Sequence, residues 1–529
     1  MPATPRRALL HFAFCILHSA FLVSCATVPQ PQPSTQTVAH PAAGRFKILQ
    51  INDVYKIEGL EGGASGGLAR VRTLRQHLES DGTPVLLLHA GDALWPSVMS
   101  KYLEARPMID VLNLLDGDAA ATDRNLLVTF GNHEIEKSDD KLLLARLAES
   151  QFQWLVTNTL HCRAGAACEP FPNTIPSALL DLQGTRVGLL GLMYKQENSY
   201  AQATDVQAAA RATVASLRQA GARVIIAITH EDMSDDRKLA AAVPGIDVII
   251  GGHDHLYTQD HIASTWITKA DADAKSVIVY DVTVPAEGPV RTTPLRVVVD
   301  STIPKDPQVD AAVERWLAAL SAKLGGNTAL GTTRNLLEGT EPAVRGRETA
   351  LGNLLADVAR QQMQTDVAVI NGGGIRINDN IPPGPITKYD MEGIFYYANR
   401  LVAFEVTGQQ LLDMLRNSVS RADAGDGRFL QVSGLVFAYH PRDGGFLVDA
   451  SDVRVGGQPL DVSRKYTVAT VDYLYLYGND DGYTLFADGT RPPKVNVGRE
   501  ADFRTEVEAF VTNAREIDVD VDGRIVRAP

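Results

Sequence analysis

From residue 46 to residue 299, short uninterrupted apolar runs alternate with stretches whose apolar residues recur at mixed i, i+3 and i+4 spacing. The runs are 46–51, 85–88, 126–130, 154–156, 187–190, 224–229 and 248–250; the helix-spaced stretches between them include 68–79, 108–115, 141–149 and 206–220. Apolar runs without polar alternation are what strands covered on both faces require, and helices threaded between them favour a largely parallel sheet. The pattern therefore predicts an α/β layered domain over residues 45–303, ending in strands at 277–284 and 290–299. Pro304 and Pro307 interrupt it. Val313, Trp316, Leu317 and Leu320 then fall at helical spacing, which predicts a linker helix within 304–328. A separate α/β domain is expected over 329–529, with helices at 350–364 and 408–420 and strands at 367–370, 401–406, 466–470 and 524–526.

Composition changes this picture in two ways. A chain of 529 residues with 45% hydrophobic and 21% charged positions has material for more than one core. Its net charge of −13 argues against a nucleic acid polymer or an anionic membrane as a charge-steered partner. An anionic substrate would then need local positive charge, from metal ions or placed arginines. At the N-terminus Arg6 and Arg7 precede an apolar segment, 8–23, that is too short and too interrupted by His11 and His18 for a membrane span. Residues 1–24 read as an export signal. Its end, Leu22-Val23-Ser24-Cys25, resembles the bacterial lipoprotein box, which would make Cys25 a lipid anchor in the periplasm or cell envelope; a plain cleaved signal is the alternative. Residues 25–44 form a Pro-rich tether. Outside Cys15 and Cys25 only Cys162 and Cys168 remain, spaced to close a small disulfide loop in an oxidising compartment.

The chemistry lies where five apolar runs stop. They end in Asn52-Asp53-Val54-Tyr55, His89-Ala90-Gly91-Asp92, Gly131-Asn132-His133-Glu134, His230, and Gly251-Gly252-His253-Asp254-His255. Gly-Asn alone is ordinary turn chemistry; the repetition at five strand ends is what points to a site. In a parallel sheet these C-terminal edges share one rim. Carboxylates, an amide oxygen and imidazoles together suit Zn, Mn or similar divalent ions. A phosphate ester is anionic and repels hydroxide, and a divalent pair supplies both an activated water and neutralisation of phosphoryl charge.

These motifs, in this order, resemble the signature of the calcineurin-like metallophosphoesterases. In the second half, Arg345-Gly346-Arg347-Glu348-Thr349, Asn371-Gly372-Gly373-Gly374-Ile375-Arg376, Leu430-Gln431-Val432-Ser433-Gly434 and Asp480-Asp481-Gly482-Tyr483 resemble the C-terminal domain of the 5′-nucleotidase and UDP-sugar hydrolase family. The resemblance implies a four-layer α/β catalytic domain followed by a separate α/β substrate-binding domain, with two divalent ions as cofactors. It implies that Asp53 and His255 hold one ion, Asp92 bridges, and Asn132, His230 and His253 hold the other. His133 would be the catalytic imidazole and Glu136, in place of the usual Asp, would orient it. Arg345 and Arg376 would grip substrate, Asn371 and Asp481 would contact the ribose, and Tyr397 and Tyr475 would sandwich the base.

Besides Glu136, three further places depart from the family pattern. Tyr55 stands where a His ligand is usual, and either ligates as a phenolate or only packs. His89 replaces an Asp and reads as a structural residue. Tyr396-Tyr397-Ala398-Asn399 replaces Pro-Phe-Gly-Asn and alters the stacking surface. The function expected is an exported phosphohydrolase of nucleotide-like small molecules, whose second domain rotates about the linker. Two alternatives stand beside it. One is a related hydrolase acting as a broad phosphodiesterase or on thiosulfo substrates; the other is a nucleotide-binding lipoprotein that has lost catalysis at Tyr55.

Overall fold

The computed structural model describes residues 42–529. The expected signal segment, Cys25 and most of the tether lie outside the described residues. The first strand, Ala42–Ile51, begins three residues before the expected domain start.

The first domain is built on two sheets laid face to face. One has seven strands in the order Pro294–Val298, Ser276–Pro285, Ala42–Ile51, Val85–His89, Asp123–Val128, Phe152–Leu155, Thr174–Ile175. The other has six, in the order Thr258–Ile262, Thr265–Lys269, Val248–Gly251, Val224–His230, Thr185–Met193, Ala178–Leu182. Within each sheet the site-bearing strands run parallel to one another, while Ala42–Ile51 pairs antiparallel with Ser276–Pro285 on its other side. A single rim on one sheet is thus corrected to two rims meeting at a shared edge, three motifs from the first sheet and two from the second.

Residue parity explains the layering. Phe46 and Ile48, Leu86 and Leu88, Val224, Ile226 and Ile228, and Val248 and Ile250 all point into the space between the sheets. Their neighbours Leu49 and Ile51, and Val85 and Leu87, face an outer helical layer. Ile225, Ala227 and Ile249 face another, formed by Val206–Gln219 and Met233–Ala242. Side chains alternate along a strand, so a strand covered on both faces must be apolar at every position. Each such burial is worth about 1.5–3 kcal/mol, and a one-residue slip would exchange the two faces wholesale.

The expected linker helix is Pro307–Lys323, capped by Asp306, whose carboxylate accepts from the N–H groups of Gln308 and Val309. It does not stand free. Val309, Ala312, Val313 and Leu320 join the first domain's outer apolar layer, and the Trp316 indole donates to Asp110 at 2.8 Å. Little chain is left to connect the domains, and it includes Gly325 and Gly326 with φ of 71° and 94°.

The second domain centres on a five-stranded sheet ordered Leu430–Ser433, Val367–Asn371, Lys465–Val471, Leu401–Thr407, Lys494–Val495. Helices Ala350–Met363, Gly408–Val419 and Phe503–Ala514 bury apolar stripes in its core. Among the described residues no helix is long and apolar enough to cross a membrane.

Cys162 and Cys168 are disulfide-bonded, closing the turn between strands Thr159–His161 and Glu169–Pro170. A chain starting at residue 44 contains only these two cysteines. Alkylation of the denatured, unreduced protein should therefore add no mass, and reduction should expose two reactive thiols. Two adducts before reduction would contradict the bond.

Candidate metal centre and substrate cleft

Asp53 follows the strand Ala42–Ile51 and Asp92 follows Val85–His89, and both turn back at once, with φ of 51° and 54°. His253 and His255, after Val248–Gly251, also have positive φ, at 81° and 61°. Four non-glycine residues in the left-handed region at one place is backbone strain concentrated at a site. The close approach it produces needs glycine. A Cβ on Gly252 would lie 2.1 Å from the Ala90 carbonyl oxygen, and one on Gly131 would lie 2.1 Å from Asp92 Oδ1.

Two groups of donor atoms result, sharing Asp92. In the first, Asp53, Asp92 and His255 present ligand atoms within 4.8 Å of one another. The Tyr55 hydroxyl sits among them, 3.2 Å from Asp53 Oδ1, 3.1 Å from Asp92 Oδ2 and 2.9 Å from His255 Nε2. Tyr55 thus makes polar contact with all three donor residues. In the second group, Asn132 Oδ1 lies 3.1 Å from His230 Nε2 and 3.2 Å from His253 Nδ1, and His230 Nε2 lies 3.3 Å from Asp92 Oδ2. His230 donates its Nδ1–H to the Ala90 carbonyl at 2.8 Å, which turns Nε2 toward the other donors.

The electrostatics of the cage call for positive charge. Asp53 and Asp92 are buried, and among the described residues their ion-pair partners are histidines alone. Burial disfavours a charge on His230, but Asp92 and Asp53 outweigh it and lift the imidazole to about 9. Burial likewise opposes His255, which Glu341 and Asp53 raise to about 10. Burial, with His230 adding, holds His253 down near 4. Burial and the two carboxylates push the Tyr55 phenol well up. The oxygen and nitrogen donor set fits divalent ions.

His133 opens the short helix after the strand Asp123–Val128. Its backbone N–H donates to Asp92 Oδ1 at 3.0 Å, its Nδ1 meets Glu136 Oε2 at 2.5 Å, and its Nε2 lies 3.8 Å from Asp92 Oδ2. The longer Glu136 side chain therefore reaches, and Lys137 holds its other oxygen. Glu134, which sequence reasoning left without a role, is a buried clamp: its carboxylate accepts from the N–H groups of Asp92, Ala93, Leu94 and Gly131 at 2.9, 2.9, 3.0 and 2.6 Å. It stands inside the motif that contains Asn132 and His133, which is the signal that could have found it. His89 is fully buried with neither ring nitrogen hydrogen-bonded.

Beside the cage lies a cleft of about 690 Å³, lined by His133 from the first domain and Arg345, Asn371, Arg376, Tyr397, Tyr473, Tyr477 and Asp481 from the second. Asn371 Oδ1 and Arg345 Nε are buried without a hydrogen-bond partner. The Arg376 guanidinium lies 5.9 Å from the Tyr397 ring centre.

Tyr475 is not there. Its ring is buried against Phe404 and Phe486, and its hydroxyl donates to the Pro492 carbonyl at 2.7 Å. Tyr473, Tyr475 and Tyr477 alternate in sequence as strand residues would, but Asp472–Tyr477 is a helix. At 3.6 residues per turn, Tyr473 and Tyr477 share a face and Tyr475 takes the opposite one. The two exposed rings, 46% and 55% accessible, lie 5.7 Å apart.

Comparison with known proteins agrees with this architecture. Residues 46–257 match the family model for calcineurin-like phosphoesterases, and residues 329–488 match that for the 5′-nucleotidase C-terminal domain. The Homo sapiens 5′-nucleotidase is 26% identical over 508 residues, covering 85% of this chain and 86% of that protein. Among solved structures, a 5′-nucleotidase precursor from Thermus thermophilus aligns with a TM-score of 0.73 at 24% identity, over 92% of this chain and all of that one. The sulfate thiohydrolase SoxB of the same organism aligns with a TM-score of 0.66 at 17% identity, over 92% and 97%. With both family models matched in order along one chain, this protein belongs to the two-domain calcineurin-like phosphoesterases with a 5′-nucleotidase-type C-terminal domain, a family of metal-dependent phosphoric ester hydrolases.

Proposed function

We propose that the chain is an exported dinuclear-metal phosphohydrolase that releases phosphate from nucleotides or from related nucleotide and UDP-sugar esters. The observation that carries the reading is one cleft in which His133, anchored on the shared ligand Asp92, faces two second-domain arginines and a pair of tyrosines. Relatives named 5′-nucleotidase support it.

Asp53, Tyr55, Asp92 and His255 would hold one divalent ion, and Asp92, Asn132, His230 and His253 the other. Zn, Mn or similar ions so placed supply an activated water and neutralise phosphoryl charge. Arg345 and Arg376 grip the anionic end of the substrate, a task the planar guanidinium suits. With Nδ1 fixed by Glu136, His133 directs Nε2 toward the reacting centre and gives its proton to the departing oxygen. The unpartnered Asn371 Oδ1 accepts from a ribose hydroxyl, and Asp481 serves the same sugar. Tyr397 and Tyr473, rather than Tyr475, flank the base. Export is supported by the Cys162–Cys168 disulfide, a bond that oxidising compartments preserve, and anchorage through Cys25 rests on the Leu22-Val23-Ser24-Cys25 motif.

The first test is a screen of nucleoside monophosphates, UDP-sugars, cyclic nucleotides and thiosulfonate esters against a metal series. Nucleotide turnover should appear with Mn, Zn or Co and vanish in EDTA. His133→Asn should lower kcat by about 10²–10⁴-fold with KM little changed; a variant of full activity would defeat the assignment. Turnover of thiosulfonate esters alone would favour the second substrate class.

The tyrosines separate by readout. Tyr473→Ala should raise KM by roughly 2- to 12-fold, the loss of about 0.5–1.5 kcal/mol of stacking, with the melting temperature unchanged. Tyr475→Ala should cost about 3–5 kcal/mol of stability. The opposite pattern would return Tyr475 to the substrate. In a bacterial host, the full chain should fractionate with membranes and Cys25→Ser should move it to the soluble envelope fraction; membrane retention of that variant would refute the anchor.

A further inference from the structure

The histidines of the cage differ in where the second ring nitrogen goes. His230 donates to the Ala90 carbonyl, within its own domain. His255 donates its Nδ1–H to Glu341 Oε2 at 2.5 Å, and Glu341 belongs to the second domain, where it opens the short helix Glu341–Val344. The Glu341 carboxylate is 6% exposed, and its other oxygen is held by Arg345 and by Arg376, the latter at 3.4 Å. Asn378 ties this corner down: its Oδ1 accepts from the Glu341 N–H at 3.0 Å, and its amide donates to Asp273 of the first domain at 3.4 Å.

We propose that Glu341 is an interdomain positioning residue: it fixes the tautomer and ring orientation of His255 from the second domain, so that ion binding at Asp53, Tyr55 and His255 depends on that domain being seated. The proposal rests on the dinuclear reading above. A ligating imidazole must present a bare nitrogen to the ion and keep its proton on the other, and an outer carboxylate enforces both while raising ligand basicity. Glu341 is the group that does this for His255. When the second domain swings away, Nδ1 faces water and the ring regains its freedom. The position at Asn132, His230 and His253 has no such dependence, because its backbone partner Ala90 stays in the first domain. The same carboxylate carries the two arginines of the cleft, which joins substrate grip to the first ion position through one side chain.

The test uses the chain from residue 44, stripped with EDTA and titrated with Mn²⁺ alone, as wild type, Glu341→Ala and the isosteric Glu341→Gln. Stoichiometry and affinity come from calorimetry and metal analysis, and the spin-coupled pair is read by electron paramagnetic resonance. Wild type should take two ions. Glu341→Ala should lose about 10–100-fold at one position and keep the other, with Glu341→Gln in between. The coupled signal should give way to a mononuclear one at limiting Mn²⁺. Saturating Mn²⁺ should restore the pair, which a purely structural defect would not allow, and the Gln variant in EDTA should keep a single cooperative melting transition, lowered from wild type by the lost buried charge. Two unchanged affinities in both variants would overturn the proposal and leave the dinuclear reading standing. A parallel loss at both positions would also overturn it. Wild type that binds no Mn²⁺ would overturn the dinuclear reading and this inference with it.

Discussion

Two carboxylates, Asp53 and Asp92, are buried to 0% and 1% exposure with no lysine or arginine beside them among the described residues. An uncompensated buried carboxylate costs several kcal/mol, so such a pair persists only where something else supplies positive charge. Most features around the pair serve that condition. Strands from two sheets converge to bring imidazoles within reach, the backbone bends into left-handed conformations to aim them, and glycine at 131 and 252 admits the approach. Glu134 commits a buried carboxylate to four backbone N–H groups that hold the Asp92 loop in place. Burial and Asp92 push its own carboxyl up to about 7. A fold that needed only stability would not assemble this much charge and strain at one edge.

Much of this was legible in the sequence, for reasons that can be named. Unbroken apolar runs marked strands covered on both faces, and the observed elements Leu68–Glu79 and Lys141–Glu149 coincide with stretches expected from helical spacing alone. The polar strand ends were visible because ligand-bearing residues there interrupt otherwise uniform apolar runs. The donor atoms they supply, together with Asn132 and His133, fall into one compact region.

What escaped did so because it depends on distant or ambiguous geometry. A run of apolar strands does not say which sheet each joins, so one rim was expected where two meet. Tyr473, Tyr475 and Tyr477 fit period 2 as well as a short helix, and six residues are too few for periodicity to decide. The helix Pro307–Lys323 was legible from its spacing, but its apolar stripe does not reveal its partner, which is the first domain's outer layer. Glu341 has no local signal toward His255 at all, since 86 residues separate them. Only its position four residues before Arg345 hinted at a helical pair.

Charge connects these parts across the molecule. A chain of net charge −13 that is to hold an anionic ester must create its positive potential locally. Arg345 and Arg376 face the cleft from the second domain, but both lean on Glu341, which holds back part of their field. Glu341 itself stays well below the usual carboxylate range despite burial, because Arg345 and His255 surround it. The carboxylate therefore balances two arginines on one side and a cage histidine on the other. Neutralising it would strengthen the grip on anions while loosening His255, and lengthening its contact to His255 would do the reverse. Under the proposed function, substrate grip and the first ion position are thus set against one another through a single side chain, and the seating of the second domain is the variable that satisfies both.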